Sequence, residues 1–157
     1  MITDDHADVA IRPPVLIAGA LLLGCLLTSM FPIGPGLAAA NGTALAVGLS
    51  LAAIGIGLAA FSVRAFARAG TSVVPGQPST ALVTWGPYAI TRNPIYIGFV
   101  LVYFGFAIVL TSVWVLLLLI PVLLIFQRGV VEREEAYLER QFGEAYRKYR
   151  ARVPRWL

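Results

Sequence analysis

Charge is absent from two long stretches of this chain. All twelve Lys and Arg residues and all eight Asp and Glu residues fall outside residues 13–63 and 95–127. A hydrocarbon core of about 30 Å takes about 20 apolar residues as helix, since a helix satisfies its backbone polar groups internally. The first stretch is long enough for two such crossings, and the second for two shorter ones. The chain of 157 residues is 59% hydrophobic and 13% charged, where soluble domains run at about a quarter charged. It therefore reads as all-α: a polytopic integral membrane protein of about four transmembrane helices, with an interfacial loop and C-terminal helices on the cytoplasmic side. Residues 1–157 form a single domain, 1–69 giving two N-terminal spans and 70–157 the loop, a helical hairpin and the tail.

The punctuation sets the elements. A first helix is expected over residues 14–31, entered at Pro14 and ended by Pro32-Ile33-Gly34-Pro35-Gly36. A second covers residues 43–66, where Gly48, Gly55 and Gly57 with Ala52, Ala53, Ala59 and Ala60 make a smooth surface for close backbone approach. Arg64 and Arg68 close it. Residues 70–93 hold Pro75, Pro78, Gly86 and Pro87, which prevent a long helix. They also hold Val73, Val74, Leu82, Val83, Trp85, Tyr88 and Ile90, too much apolar surface for a tether, so this loop reads as an ordered interfacial segment. A third span over residues 94–110 turns tightly at Thr111-Ser112, with Trp114 at the far interface. The fourth runs through residue 125, with a kink expected at Pro121, and continues as helix to about residue 141. Gly143 then separates a final short helix that ends before Pro154.

The far-side loops, residues 32–42 and 111–113, carry no Lys or Arg. Both termini and the long loop are thus expected in the cytoplasm, with a bacterial inner membrane as the location. The net charge of +4 belongs to these membrane flanks and argues against nucleic acid as a partner. Asp4, Asp5 and Asp8 against a lone Arg12 speak against a cleaved signal peptide, although residues 38–40 would pass as a cleavage site. His6 is read as solvent-exposed, Cys25 as an apolar filler with no disulfide partner, and no metal is expected. A transporter would place an ionisable residue in its spans. These spans have none, so function moves to the cytoplasmic interface.

Two interfacial segments stand out. Asn93-Pro94 opens a helix, where Asn93 is expected to accept from the orphan backbone donors and the helix start suits an anion. Tyr96 and Gly98 follow on the first turn, an aromatic beside a place where a ligand can approach the backbone. The plainer reading is an interfacial cap with Tyr and Arg anchored at headgroup depth. In the second segment Val131, Leu138 and Phe142 form an apolar stripe whose i+4 position is Glu135, with Glu134 beside it. A carboxylate on such a face needs a partner. Glu132 and Glu139 read as solvated, with pairs such as Arg128–Glu132; for Glu135 a polar or cationic ligand is expected. The basic, aromatic tail over residues 146–156 is read as lying against anionic headgroups.

Taken in order, Leu82-Val83, Gly86, Tyr88, Arg92-Asn93-Pro94, Tyr96 and Gly98, then a two-span hairpin, then Glu134-Glu135, Leu138, Phe142-Gly143, Tyr146 and Tyr149 resemble the pattern of one family. It is that of the membrane methyltransferases, which include isoprenylcysteine carboxyl methyltransferase and the phospholipid methyltransferases. The likeness covers residues 70–157. It implies S-adenosylmethionine as cofactor, held by Leu82, Val83, Tyr88, Asn93, Pro94, Tyr96, Gly98, Glu134 and Glu135. It also implies a lipophilic small molecule or lipid as acceptor, entering from the membrane: an isoprenylcysteine-like carboxylate, a phospholipid amine or a small thiol. Arg92, Arg152 and Tyr149 are the catalytic candidates, the arginines as grips for an anionic acceptor or headgroup. Asn93 stands where the family pattern has His, and Asn cannot titrate. A catalytically degenerate membrane binding or scaffold protein is therefore the alternative.

Overall fold

The computed structural model describes residues 13–34, 41–74 and 77–157. The acidic N-terminal run with His6 and Arg12, Pro35, Gly36, residues 38–40 and Pro75 lie outside them. Every regular element among the described residues is helical: α1 (Pro13–Met30), α2 (Gly42–Arg68), α3 (Pro94–Val109), α4 (Val113–Ile125), α5 (Glu132–Phe142) and α6 (Glu144–Arg152). A π turn, Phe126–Val131, joins α4 to α5, and the loop before α3 holds a 3-10 turn at Gly86–Ala89. Three helices are long and apolar enough to cross a membrane, namely Pro13–Met30, Gly42–Arg68 and the continuous Val113–Phe142; α3 is a shorter apolar helix. Large side chains such as Leu22, Ile54, Ile56 and Ile120 face outward, as a hydrocarbon solvent permits. The protein is a polytopic membrane protein. Charges begin at Arg128 on the last long helix, so α5 and α6 lie beyond its apolar part.

Glycine sets how α2 and α3 meet. Gly48 lies against Gly105, and Gly55 against Gly98. A Cβ on Gly98 would sit 2.6 Å from the Gly55 carbonyl oxygen and 3.1 Å from Ala59 Cβ. The two contacts are seven residues apart on each helix, so the pair is antiparallel and in constant register. Gly57 belongs to the same small-residue run but faces open space, so only part of the smooth surface read from the sequence is an interface.

At the uncharged end the hydroxyls satisfy one another. Thr28 Oγ1 lies 2.6 Å from Ser112 Oγ, and Ser112 caps α4 by accepting from the Val115 amide at 3.1 Å. The Tyr103 hydroxyl donates to the Val115 carbonyl at 2.8 Å. Trp114 Nε1 donates to the Phe31 carbonyl, tying the two chain reversals at that end together. Thr111 takes a positive φ of 46° at the tight turn.

At the charged end the loop is built into the fold. Val83 and Tyr88 pack with Ala65, Phe66 and Ala69 of the α2 terminus. The Ser79 amide donates to the Tyr137 hydroxyl at 2.9 Å, joining the loop to α5. Gly143, at φ 52°, turns the chain from α5 into α6. That turn lets Tyr146, Tyr149 and Val153 close over Leu82, Leu138 and Phe142. Pro121 sits inside α4, but the change of helical form comes five residues later, at the π turn. A π turn inserts one residue and rotates the helix beyond it by about 100°, so it decides which α5 side chains face inward.

The glycine contact predicts a strong asymmetry. Gly98→Val forces α2 and α3 apart and costs about 1–3 kcal/mol as overpacking. Gly57→Ala meets nothing and is neutral or slightly stabilising. Thermal unfolding of the two variants in detergent measures the difference, and equal melting temperatures would contradict the packing.

Candidate functional site

A cavity opens at the charged end between the loop, the first turn of α3, α5 and α6. Its empty space is about 900 Å³ with the open mouth included. Extending the α2–α3 register brings Ala60 level with Asn93 and Gly57 level with Tyr96. Arg64 is the first charge of α2. At 1.5 Å per residue, Tyr96 therefore sits about 10 Å further toward the apolar region than Arg64.

The adjacent carboxylates of α5 have different surroundings. Glu134 reaches the cavity and accepts from the Tyr96 hydroxyl at 2.7 Å. Burial pushes its pKa up to about 7, against the opposing pull of the Tyr96 hydrogen bond. Glu135 is more enclosed, its side chain only 9% exposed. Arg92 Nη1 lies 2.7 Å from its Oε1. Arg155 closes a fork on it, Nε to Oε1 at 3.0 Å and Nη2 to Oε2 at 2.7 Å. Glu135 thus has two arginines as partners, where the sequence reading expected a ligand. Those contacts hold the Arg155 guanidinium above its ordinary pKa.

Asn93 precedes α3 as expected, but its side chain makes no cap hydrogen bond. Pro94 occupies the first helical position and offers no amide. The Asn93 side chain turns instead to the C-terminal tail, its Nδ2 donating to the Arg155 carbonyl at 3.0 Å. Thr91 Oγ1 donates to the same carbonyl at 3.0 Å, and the Arg92 amide donates to the Pro154 carbonyl at 3.0 Å. Residues 91–93 are laced to residues 154–155.

Leu82, Val83, Tyr88, Arg92, Asn93, Tyr96, Glu134, Glu135 and Tyr149 all line the cavity. Three other expected site residues do not. Gly98 faces α2, because the interhelical contact takes its bare backbone. Pro94 is buried at the helix start. Arg152 is exposed on α6, with its Nε directed to the Lys148 carbonyl at 3.3 Å. The Tyr149 hydroxyl donates to the Tyr88 carbonyl at 2.8 Å, and burial pushes its pKa up, so it acts as a neutral brace. Glu132 accepts from Gln127 Nε2 at 2.9 Å and lies 3.8 Å from Arg155, a different setting from the Arg128 pair expected. Sequence reasoning missed Arg155, which it placed among headgroup-binding cations. The available signal was Pro154, which stops α6 and leaves the next residue free to turn back on the fold.

Glu134 predicts a pH dependence of stability. Its folded pKa of about 7 lies above the ordinary 4.5, so the folded state binds the proton more tightly than the unfolded chain. Stability from this group is present below about pH 4.5 and falls as pH rises through about 7, by up to about 3 kcal/mol. Glu134→Gln removes this dependence, so its melting temperature should gain on the parent protein between pH 5 and 8. Parallel pH profiles would contradict the assignment.

No curated protein matches the chain. The family model described as phospholipid methyltransferase matches residues 43–145, which run from α2 through the loop, the α3–α4 hairpin and α5 into the start of α6. That is well over half of the sequence and includes Tyr88, Arg92, Tyr96 and both cavity carboxylates. The chain, a membrane-embedded helical fold, belongs to the phospholipid methyltransferase family.

Proposed function

We propose that this protein transfers a methyl group from S-adenosylmethionine to a lipophilic acceptor that reaches the cavity from the membrane, at the cytoplasmic face. The observation that carries this reading is Glu134. It is a carboxylate set between an apolar, aromatic wall and the Tyr96 hydroxyl, in a cavity below the level of the first α2 charge. The residues present suit the cofactor. Glu134 offers an acceptor for ribose hydroxyls or an ammonium group. Phe66, Val83 and Tyr88 offer a flat apolar wall for a base, and Arg92 a fixed cation for a carboxylate. Residues 70–157 would hold the cofactor, within the single domain of the whole chain.

When bound, S-adenosylmethionine supplies a methyl group already activated on a sulfonium centre. What remains for the protein is placement and exclusion of water. Tyr88 and Tyr96 are buried at the cavity wall and keep that space dry. Glu134, with a pKa of about 7, can hold a proton given up by an amine acceptor; a carboxylate or thiolate acceptor needs no such help. Arg92 is held by Glu135 and by the Tyr146 hydroxyl at 3.2 Å, so its charge is fixed in position for an anionic group. Asn93 serves the tail through its Nδ2. A non-titrating residue can do that, so Asn at this position is not by itself a mark of a degenerate scaffold.

Membranes holding the protein, incubated with methyl-labelled S-adenosylmethionine, should yield a labelled product extractable into organic solvent. By calorimetry in detergent, Glu134→Gln should weaken S-adenosylmethionine binding by about tenfold or more. Arg152→Ala should stay within about twofold, since Arg152 lies off the cavity. Binding without any labelled product would support the scaffold instead, and equal affinities for the parent protein and Glu134→Gln would remove Glu134 from the site.

A further inference from the structure

We propose that Arg155 is a positioning residue for the cavity: by pinning Glu135 with its guanidinium and Asn93 with its carbonyl, it leaves Glu134 as the carboxylate that meets the ligand. Arg155 lies ten residues beyond the segment matched to the family, and it is not on the cavity wall.

Three sets of contacts carry the inference. First, the guanidinium reaches both oxygens of Glu135, at 3.0 and 2.7 Å, in the paired geometry that only arginine supplies. With Arg92 also on Oε1 at 2.7 Å, both Glu135 oxygens are engaged and its charge is compensated. Second, the Arg155 carbonyl accepts from Asn93 Nδ2 and from Thr91 Oγ1, each at 3.0 Å. Asn93 opens α3, whose first turn carries Tyr96, the donor to Glu134. Third, the Pro154 carbonyl accepts from the Arg92 amide at 3.0 Å. One residue and its neighbour thus hold the loop side and the α5 side of the cavity at a fixed spacing.

The tail ends α6 at Arg152 and leaves helical geometry at Val153. Residues 153–155 therefore carry backbone carbonyls free of helix bonding, and those of Pro154 and Arg155 are used on residues 91–93. Released from Arg155, Glu135, already on the cavity wall, would keep one arginine and gain a free oxygen to offer a ligand. Two adjacent carboxylates would then compete for the same ligand groups.

The proposal deepens the methyl-transfer reading and rests on it only for the identity of the ligand. Its test uses the full chain in detergent and two readouts. The first is modification by dicyclohexylcarbodiimide, an apolar reagent for protonated carboxyl groups, with each glutamate located by mass spectrometry. The parent protein should be modified at Glu134 and protected at Glu135. Arg155→Gln should become modified at Glu135 as well, and Arg155→Lys, which keeps the charge without the fork, should fall between. The second readout is S-adenosylmethionine affinity by calorimetry, expected to fall about tenfold in Arg155→Gln. Trp156→Ala is the structural control. It removes a neighbouring tail contact, Trp156 Nε1 to Gln127 Oε1 at 3.0 Å, and should lower the melting temperature while Glu135 stays protected. Protection of Glu135 in Arg155→Gln, or modification of Glu135 in Trp156→Ala to the same degree, overturns the proposal. Should Arg155→Gln fail to fold, Arg155→Lys decides, and behaviour identical to the parent protein in both readouts overturns it. Failure of the parent protein to bind S-adenosylmethionine would sink the cofactor reading, while the labelling pattern still decides the role of Arg155.

Discussion

At the charged end, the buried carboxylate of Glu135 joins three segments far apart in sequence. Arg92 comes from the loop, Glu135 from α5 and Arg155 from the tail. A charge moved out of water costs several kcal/mol, and Coulomb attraction offsets that cost only where geometry is close and further hydrogen bonds are made. Here the distances are short, and the arginines are themselves anchored, Arg92 to the Tyr146 hydroxyl and Arg155 through its carbonyl. Such a triad adds little net stability over an apolar replacement but penalises any arrangement that separates its members. It therefore specifies where loop, helix and tail meet, and the cavity is the space left between them.

The helices below serve this meeting by holding depth and register. Glycine pairs let α2 and α3 touch backbone to backbone, where lipid supplies no hydrophobic drive for association and packing must do the work. With side chains removed from that seam, the antiparallel offset cannot slide without a clash. The offset is what places the α3 start below Arg64. Arg92 and the two carboxylates line the cavity at that level.

Much of this was legible in the sequence. The absence of charge over residues 13–63 and 95–127 gave the membrane helices, and the aromatic and acidic pattern at residues 82–96 and 134–149 named nine of the twenty described residues of the cavity wall. What stayed hidden depends on rotation and on contacts between segments remote in sequence. Gly98 reads equally as a ligand approach or a helix seam, and only the partner helix decides. Asn93 looks like a helix cap, but its preference for the Arg155 carbonyl depends on a tail about sixty residues away. Arg155 looks like one more cation in a basic tail, because composition does not show that Pro154 turns it inward. The π turn at Phe126–Val131 has no Pro or Gly signature strong enough to mark it, yet it sets which faces of α5 are buried.

The contrast between Glu134 and Glu135 arises from these hidden contacts. Neighbours in a helix differ by about 100° in direction, so one can lie within reach of two arginines while the other meets a tyrosine and apolar side chains. Separate surroundings give adjacent acids separate roles, as in enzymes that run two carboxylates at different protonation. Glu135 stays paired and holds structure. Glu134 stands near the boundary between its charged and neutral forms at neutral pH, so it can accept a hydrogen bond or hold a proton. This arrangement also gives a physical reason for Asn at position 93. If the proton-holding group in this chain is Glu134, the residue opening α3 need only donate one hydrogen bond to the tail, and an amide does that at every pH.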